Sequence, residues 1–220
     1  MQLADLCSLS WRRSNVHTLT APISGYFRKR RMAQFEELFR PTSSTRIIDV
    51  GGTEFNWSFI SAAPQVTLLN ITGPERVDGR FEHVHGDGRR LQYATKSFDI
   101  AYSNSVIEHV GTWEDQVAFA SELRRVGRQY YVQTPNRWFF VEPHLWTPAI
   151  HYLPTDVICR LARNFTLWGW IMRPSQEYVD EFVRVIRLLD RKEVATLFPD
   201  AIILEEKVLG LTKSFIACRK

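Results

Sequence analysis

Short apolar runs that end in turn residues, spaced by helix-length segments, constrain this chain more than any other feature. Arg46-Ile47-Ile48-Asp49-Val50 is such a run, closed at once by Gly51-Gly52. Val66 to Asn70, Phe81 to Val84, Phe98 to Tyr102 and Gln129 to Gln133 repeat the pattern, the last stopped by Pro135. Brief runs of this kind, bounded by Gly, Pro and Asn, read as buried strands. Phe55 to Ala63, closed by Pro64, and Asp115 to Val126 read as helices between them. The second presents Val117, Phe119, Ala120, Leu123 and Val126 inward. Strands alternating with helices predict a doubly wound α/β fold, a parallel sheet covered on both faces. Right-handed crossovers then place every strand's C-terminal end on one edge, where ligands bind.

The 220 residues suffice for one sizeable core, so 1–220 is read as a single domain. Before the first strand, residues 24–40 take a helical period, with Phe27, Met32, Phe35, Leu38 and Phe39 on one side. Arg28-Lys29-Arg30-Arg31 inside it reads as a solvated face or, alternatively, as a contact for an anionic substrate or a membrane surface; residues 1–22 show no clear period. Residues 136–175 break the alternation. They hold Trp138, Trp146, Trp168 and Trp170 together with Pro143, Pro148, Pro154 and Pro174, too long a stretch for a plain connection, and read as an aromatic cap or lid after strand five. Helices return at Gln176 to Leu189 and Arg191 to Leu197. Two last strands, Ile202 to Lys207 and Ser214 to Ala217, close through Gly210 as a hairpin.

Composition removes several classes. Hydrophobic residues at 45% and charged residues at 24% are those of a soluble globular chain. No apolar run reaches the length of a membrane span, and the N-terminus lacks the pattern of a secretory signal. Cys7, Cys159 and Cys218 are widely spaced, which fits reduced thiols and a cytoplasmic protein better than a disulfide framework. A net charge of +4 is mildly basic and only weak support for an acidic or nucleic-acid partner.

Two sets of residues carry chemistry. Asp49-Val50-Gly51-Gly52-Thr53 follows the first strand, and glycine there lets backbone approach a ligand. It is not a dinucleotide fingerprint, since Thr53 and Phe55 stand where further glycines belong, and no Gly-Lys-Ser/Thr follows. Asn70 ends the second strand, a position suited to ribose hydroxyls, and Gly86-Asp87-Gly88 after the third offers a carboxylate to an adenine amino group. The second set is Glu108-His109, just past strand four, and Glu142-Pro143-His144, after strand five. A carboxylate with two imidazoles at a strand-end cleft suits a divalent metal or a proton transfer.

Together these residues resemble the class I S-adenosylmethionine-dependent methyltransferases, in the methyltransferase type 11 branch. The resemblance covers Arg46 to Pro135 and is supported by the terminal hairpin. It implies a Rossmann-like seven-stranded sheet with an antiparallel last strand. It also implies that Asp49, Gly51 and Gly52 hold the methionine part, that Asn70 binds ribose, that Gly86 and Asp87 meet adenine, and that Ser103 and Asn104 line the methionine side. The glycine motif is reduced, and Asn70 replaces an acid. A narrower resemblance is to small-RNA 3′-terminal and ubiquinone-pathway O-methyltransferases, carried by Ser105-Val106-Ile107-Glu108-His109, Thr134-Pro135-Asn136 and His144. It implies Mg2+ or Mn2+ held by Glu108, His109 and His144. Ser105 stands where that pattern has a first Glu, and Glu142 is the carboxylate available to replace it. His144, Glu142 and His109 are then the catalytic candidates.

Thr134 to Phe139 with Glu142-Pro143-His144 is also similar to bacterial methyltransferases linked to polysaccharide assembly. The expected activity is therefore methylation of a sugar hydroxyl on a saccharide or glycan acceptor. The alternatives are an RNA ribose 2′-O-methyltransferase, although no dedicated nucleic-acid module is visible, and a non-catalytic cofactor-binding or membrane-surface protein. A homodimer is compatible with either.

Overall fold

The computed structural model describes residues 15–220, with side chains from residue 25 on; Cys7 and most of the aperiodic N-terminal stretch lie outside the described residues. The strands are β1 (Arg46–Val50), β2 (Gln65–Asn70), β3 (Arg76–Asp78), β4 (Phe81–His85), β5 (Phe98–Asn104), β6 (Gly127–Pro135), β7 (Val141–Glu142), β8 (Thr147–Pro148), β9 (Ile202–Val208) and β10 (Leu211–Arg219). Eight of them form one mixed sheet in the order β3-β4-β2-β1-β5-β6-β10-β9. Neighbours from β4 through β6 are parallel. The closing strand β10 is antiparallel to both β6 and β9. The sequence predicts seven strands; the structure adds β3, antiparallel to β4 at the edge. β3 is exposed throughout, with Val77 at 77%, so no apolar period announces it.

Helices α1 (Asn15–Phe39), α2 (Glu54–Trp57), α3 (Trp113–Val126), α4 (Thr155–Phe165), α5 (Leu167–Met172), α6 (Gln176–Val185) and α7 (Arg191–Leu197) complete the chain. Side chains alternate along a strand, so Ile47 faces one layer and Ile48 the other. On the first face Met32 and Phe35 of α1 and Trp57 of α2 pack with Ile47, Leu68, Tyr102 and Tyr131. On the second, Phe119 and Leu123 of α3 and Leu197 of α7 pack with Ile48, Val50 and Val132. Each such fully buried side chain contributes about 1.5–3 kcal/mol relative to exposure.

Three expectations are corrected. The helix predicted over Phe55 to Ala63 is the single turn α2; beyond it the Glu36 carboxylate of α1 accepts the backbone N–H groups of Ser61 and Ala62, holding them out of a helix. Val117 is outward-facing, and Gln116 takes the buried place, donating to the carbonyls of Ile107 and Arg187. The basic run in α1 is not one solvated face: Arg31 is 7% exposed.

Residues 136–175 carry the β7–β8 hairpin and helices α4 and α5. With α6 they enclose a separate apolar cluster of Leu145, Ile158, Cys159, Ala162, Trp168, Val179 and Val183. Trp168 is therefore packing, stacked on Phe182 at 5.0 Å, whereas Trp138 and Trp170 are exposed.

Candidate active site

The parallel strands β1, β2, β4 and β5 end on one edge, and a cavity of about 270 Å³ opens over them. Gly51, Asn70, Gly86, Asp87, Ser105 and His109 line it. Phe119 of α3 and Phe182 and Val185 of α6 supply apolar wall.

The turn after β1 tolerates only glycine. Gly51 has φ +78°, and a Cβ there would sit 2.5 Å from Val106 Cγ2. A Cβ on Gly52 would sit 1.9 Å from Asp49 Oδ2. Asp49 thus lies beneath the turn, on the Ile47 side of the sheet, with no exposure. Trp57 Nε1 donates to its Oδ2 at 2.9 Å, while Oδ1 has no partner. Desolvation drives its pKa up to about 7, against the pull of the Trp57 bond.

Asn70 Nδ2 donates to the Gly52 carbonyl at 3.0 Å, tying β2 to the turn. Asp87 is gripped at both oxygens by Arg89, at 2.7 to 3.0 Å. Those bonds hold its carboxyl below the ordinary range. Asp49, Gly52, Ser103 and Asn104 do not line the cavity. Ser103 Oγ donates to the Val50 carbonyl at 3.0 Å and is fully buried, pinning β5 to β1. The Asn104 side-chain oxygen accepts from Arg31, which also donates to Gln133 Oε1 at 2.8 Å and pairs with buried Glu206 at 3.3 Å. Ser105 Oγ donates to the same Gln133 oxygen at 2.8 Å.

The structure brings Glu108, His109 and His144 together, with one ligand-type atom from each inside 4.8 Å of the others. A short 3-10 turn, Ile107–His109, delivers the first two after β5. The β7–β8 hairpin delivers His144. Glu142 holds it, accepting from His144 Nδ1 at 2.7 Å and from the backbone N–H groups of His144 and Leu145. His144 Nε2 lies 3.0 Å from His109 Nε2. Only one hydrogen fits between them. Burial, reinforced by His144, pushes His109 down to about 3, so His109 is neutral. Burial opposes the charge on His144, but Glu142 and Glu108 outweigh it and raise its pKa. For Glu142 burial acts upward and His144 prevails, lowering it. Glu108 is fully buried, and desolvation raises it to about 7. Its Oε2 accepts from Thr134 Oγ1 at 3.3 Å; its Oε1 has no partner. His109 is the member of the trio that also borders the cavity.

Three contributors escape a sequence reading. Thr134 supports Glu108, and only its place in Thr134-Pro135-Asn136 hints at it. Arg31 clamps α1 to the ends of β5 and β6, hidden among basic neighbours. Phe182 joins the cavity wall to the imidazoles, 6.4 Å from the His144 ring, with no local signal.

Residues 57–129, about a third of the chain, match a family model described as a methyltransferase domain. An uncharacterised protein of Mycobacterium tuberculosis is 33% identical over 69 residues, 31% of this chain. The chain covers 23% of the length of that curated relative. Among solved structures, a Burkholderia thailandensis 1,6-didemethyltoxoflavin-N1-methyltransferase with bound S-adenosylhomocysteine is similar at TM-score 0.58 and 12% identity, over 98% of this chain and 88% of that one. An S-adenosylmethionine-dependent methyltransferase from Mesorhizobium loti gives TM-score 0.51 and 14% identity, over 81% and 93%. The [4+2]-cyclase SpnF gives TM-score 0.51 and 14% identity, over 80% and 58%. The fold is thus the α/β Rossmann-like fold of S-adenosylmethionine-dependent methyltransferases, a fold that also hosts other chemistry.

Proposed function

We propose that this chain is an S-adenosylmethionine-dependent O-methyltransferase acting on a hydroxyl of a saccharide or glycan, assisted by a divalent metal such as Mg2+ or Mn2+. One observation carries it: His109 borders both the strand-end cavity and the Glu108–His144 cluster, so a donor pocket and an acid–imidazole site share a rim.

The residues fit both groups. On the donor side, Gly51 allows close backbone approach, the Asp49 oxygen beneath it lacks a partner, and Asn70 and Asp87 stand at the next two strand ends. On the metal side, the orphaned Glu108 Oε1 and two Nε2 atoms converge. The two imidazole nitrogens stand 3.0 Å apart, so Glu108, His109 and His144 would be the residues to hold one ion. When bound, these groups supply an electrophilic sulfonium methyl and a Lewis acid that acidifies the acceptor hydroxyl.

The chain's own residues do the rest. Glu142 engages Nδ1 of His144 and fixes the ring, so Nε2 is its one remaining nitrogen, for a metal or for a proton but not for both. Thr134 holds one Glu108 oxygen and leaves the other free. Phe119, Phe182 and Val185 keep water from the apolar side of the cavity, and positioning supplies much of the rate in a methyl transfer. For the acceptor, Trp138 and Tyr152 form an exposed stacked pair with centroids 6.0 Å apart, a surface suited to the apolar face of a sugar. An RNA acceptor draws less support, because Arg31 of the basic run is spent inside the fold.

The test is transfer of labelled methyl from S-adenosylmethionine to a panel of glycans, with and without EDTA. Metal-restored activity on a saccharide is expected. Full activity in EDTA removes the metal, and turnover on RNA alone replaces the acceptor.

A further inference from the structure

Helices α4 and α5 form a tight hairpin through Thr166, which accepts from the Gly169 N–H at 2.9 Å and donates to the Ala162 carbonyl. A Cβ on Gly169 would lie 2.2 Å from that carbonyl, so the two helices touch at backbone distance. Ile158, Cys159, Ala162 and Trp168 fill the cluster beneath. The hairpin's apolar requirement is met by these residues, yet its outer side carries four more. Phe165 is 66% exposed, Leu167 49%, Trp170 65% and Ile171 37%. Trp170 Nε1 is already satisfied by the Asn164 carbonyl, so the indole stands in a set position on the surface.

Along α4 and α5 the unpaired charge has one sign, and the acids Glu177, Asp180 and Glu181 belong to the neighbouring helix α6. Arg160, Arg163 and Arg173 are exposed, and among the described residues none has an ion-pair partner. Asp156 is the sole acid between Thr155 and Pro174, and Arg184 neutralises it at 2.7 Å. Aromatic and aliphatic side chains ringed by unpaired arginines match the boundary of an anionic bilayer, where rings enter the acyl edge and guanidinium groups reach phosphate. A protein partner would need acidic residues around an apolar socket, and a second copy would bring like charges together.

The geometry points to the α4–α5 tip as a docking surface for anionic phospholipid membranes, held by Phe165, Leu167, Trp170 and Ile171 and steered by Arg160, Arg163 and Arg173. This goes beyond the methyl-transfer assignment and stands without it.

The experiment is co-sedimentation of the full chain with vesicles of pure phosphatidylcholine and of phosphatidylcholine with one third phosphatidylglycerol, alongside tryptophan emission. Binding to the anionic vesicles, with a blue shift, is expected. Replacing the three arginines by glutamine is expected to weaken partitioning about a hundredfold, at about fivefold each. The double variant Phe165→Ser/Trp170→Ser is expected to lose binding and the blue shift while its melting transition stays cooperative. A wild-type chain left in the supernatant with both vesicle types overturns the assignment. So does a double variant that binds as wild type does, since contact then lies elsewhere. Displacement by inorganic phosphate at equal phosphate concentration would identify a free-anion site instead. Dimers abolished by the double variant, without vesicle binding, would assign the face to a second copy.

Discussion

Replacing Asp49 by asparagine should make the protein more stable at alkaline pH while weakening its hold on the donor. The carboxyl is fully buried, with one oxygen bonded to Trp57 and the other to nothing, and its pKa is about 7 in place of 3.8. A carboxyl whose pKa is raised by folding favours the folded state below its unfolded pKa and loses that favour as pH rises through the folded value. The span is about 3 pH units, or about 4 kcal/mol when complete, of which roughly 3 kcal/mol falls between pH 5 and pH 8. The substituted amide cannot ionise and keeps an oxygen for the Trp57 bond, though its N–H groups enter an unpartnered place at a cost of about 1–3 kcal/mol. The net gain at pH 8 is therefore small. The firm expectation is the slope: variant minus wild type should rise by roughly 3 kcal/mol from pH 5 to pH 8 in urea unfolding. S-adenosylhomocysteine affinity, by calorimetry, should fall. Parallel stability curves would mean that Asp49 is not the buried, desolvated acid described above.

Gly51→Ala forces an L-residue to φ +78° and a methyl into Val106, so the expected result is loss of S-adenosylhomocysteine binding by at least tenfold with a lowered melting temperature. Glu142→Gln keeps the shape but releases the His144 charge partner; turnover should drop about 10–100-fold with donor affinity unchanged, by paired kinetics and calorimetry. His144→Ala should abolish turnover and leave donor affinity intact, and wild-type rates would remove its role. Arg31→Met strips a buried cation from Glu206, Asn104 and Gln133; because Lys213 also reaches Glu206 at 3.2 Å, the expected loss is near the low end of the usual 3–5 kcal/mol in urea unfolding.

The parallel core was legible because β1, β2 and β5 are buried on both faces and so read as continuous apolar runs. Helix α7 was placed at Arg191 to Leu197, and the structure supplies the reason for its start, a capping box formed by Asp190 and Glu193. Strand β3 and the shortness of α2 were not legible, for neither is set by local pattern: one is an exposed edge, the other is cut off by Glu36 from a distant helix. The Glu108, His109 and His144 trio was readable from two chemically marked strand exits. The depth of Asp49 follows from strand alternation, which sends it to the Ile47 side toward Trp57, but its missing partner could appear only in three dimensions. Arg31 was misread for the same reason, since its partners lie 73 to 175 residues away on β5, β6 and β9.

Crystals grown with S-adenosylhomocysteine and Mn2+, measured at the manganese edge, ask most directly whether a methyl donor and a metal meet on this rim. The expected result is the nucleoside over Asn70 and Asp87, the sulfur near Gly51, and an anomalous peak within ligand reach of Glu108 Oε1 and the Nε2 atoms of His109 and His144. A nucleoside bound elsewhere, or full occupancy of that pocket with no peak at the trio, would contradict it.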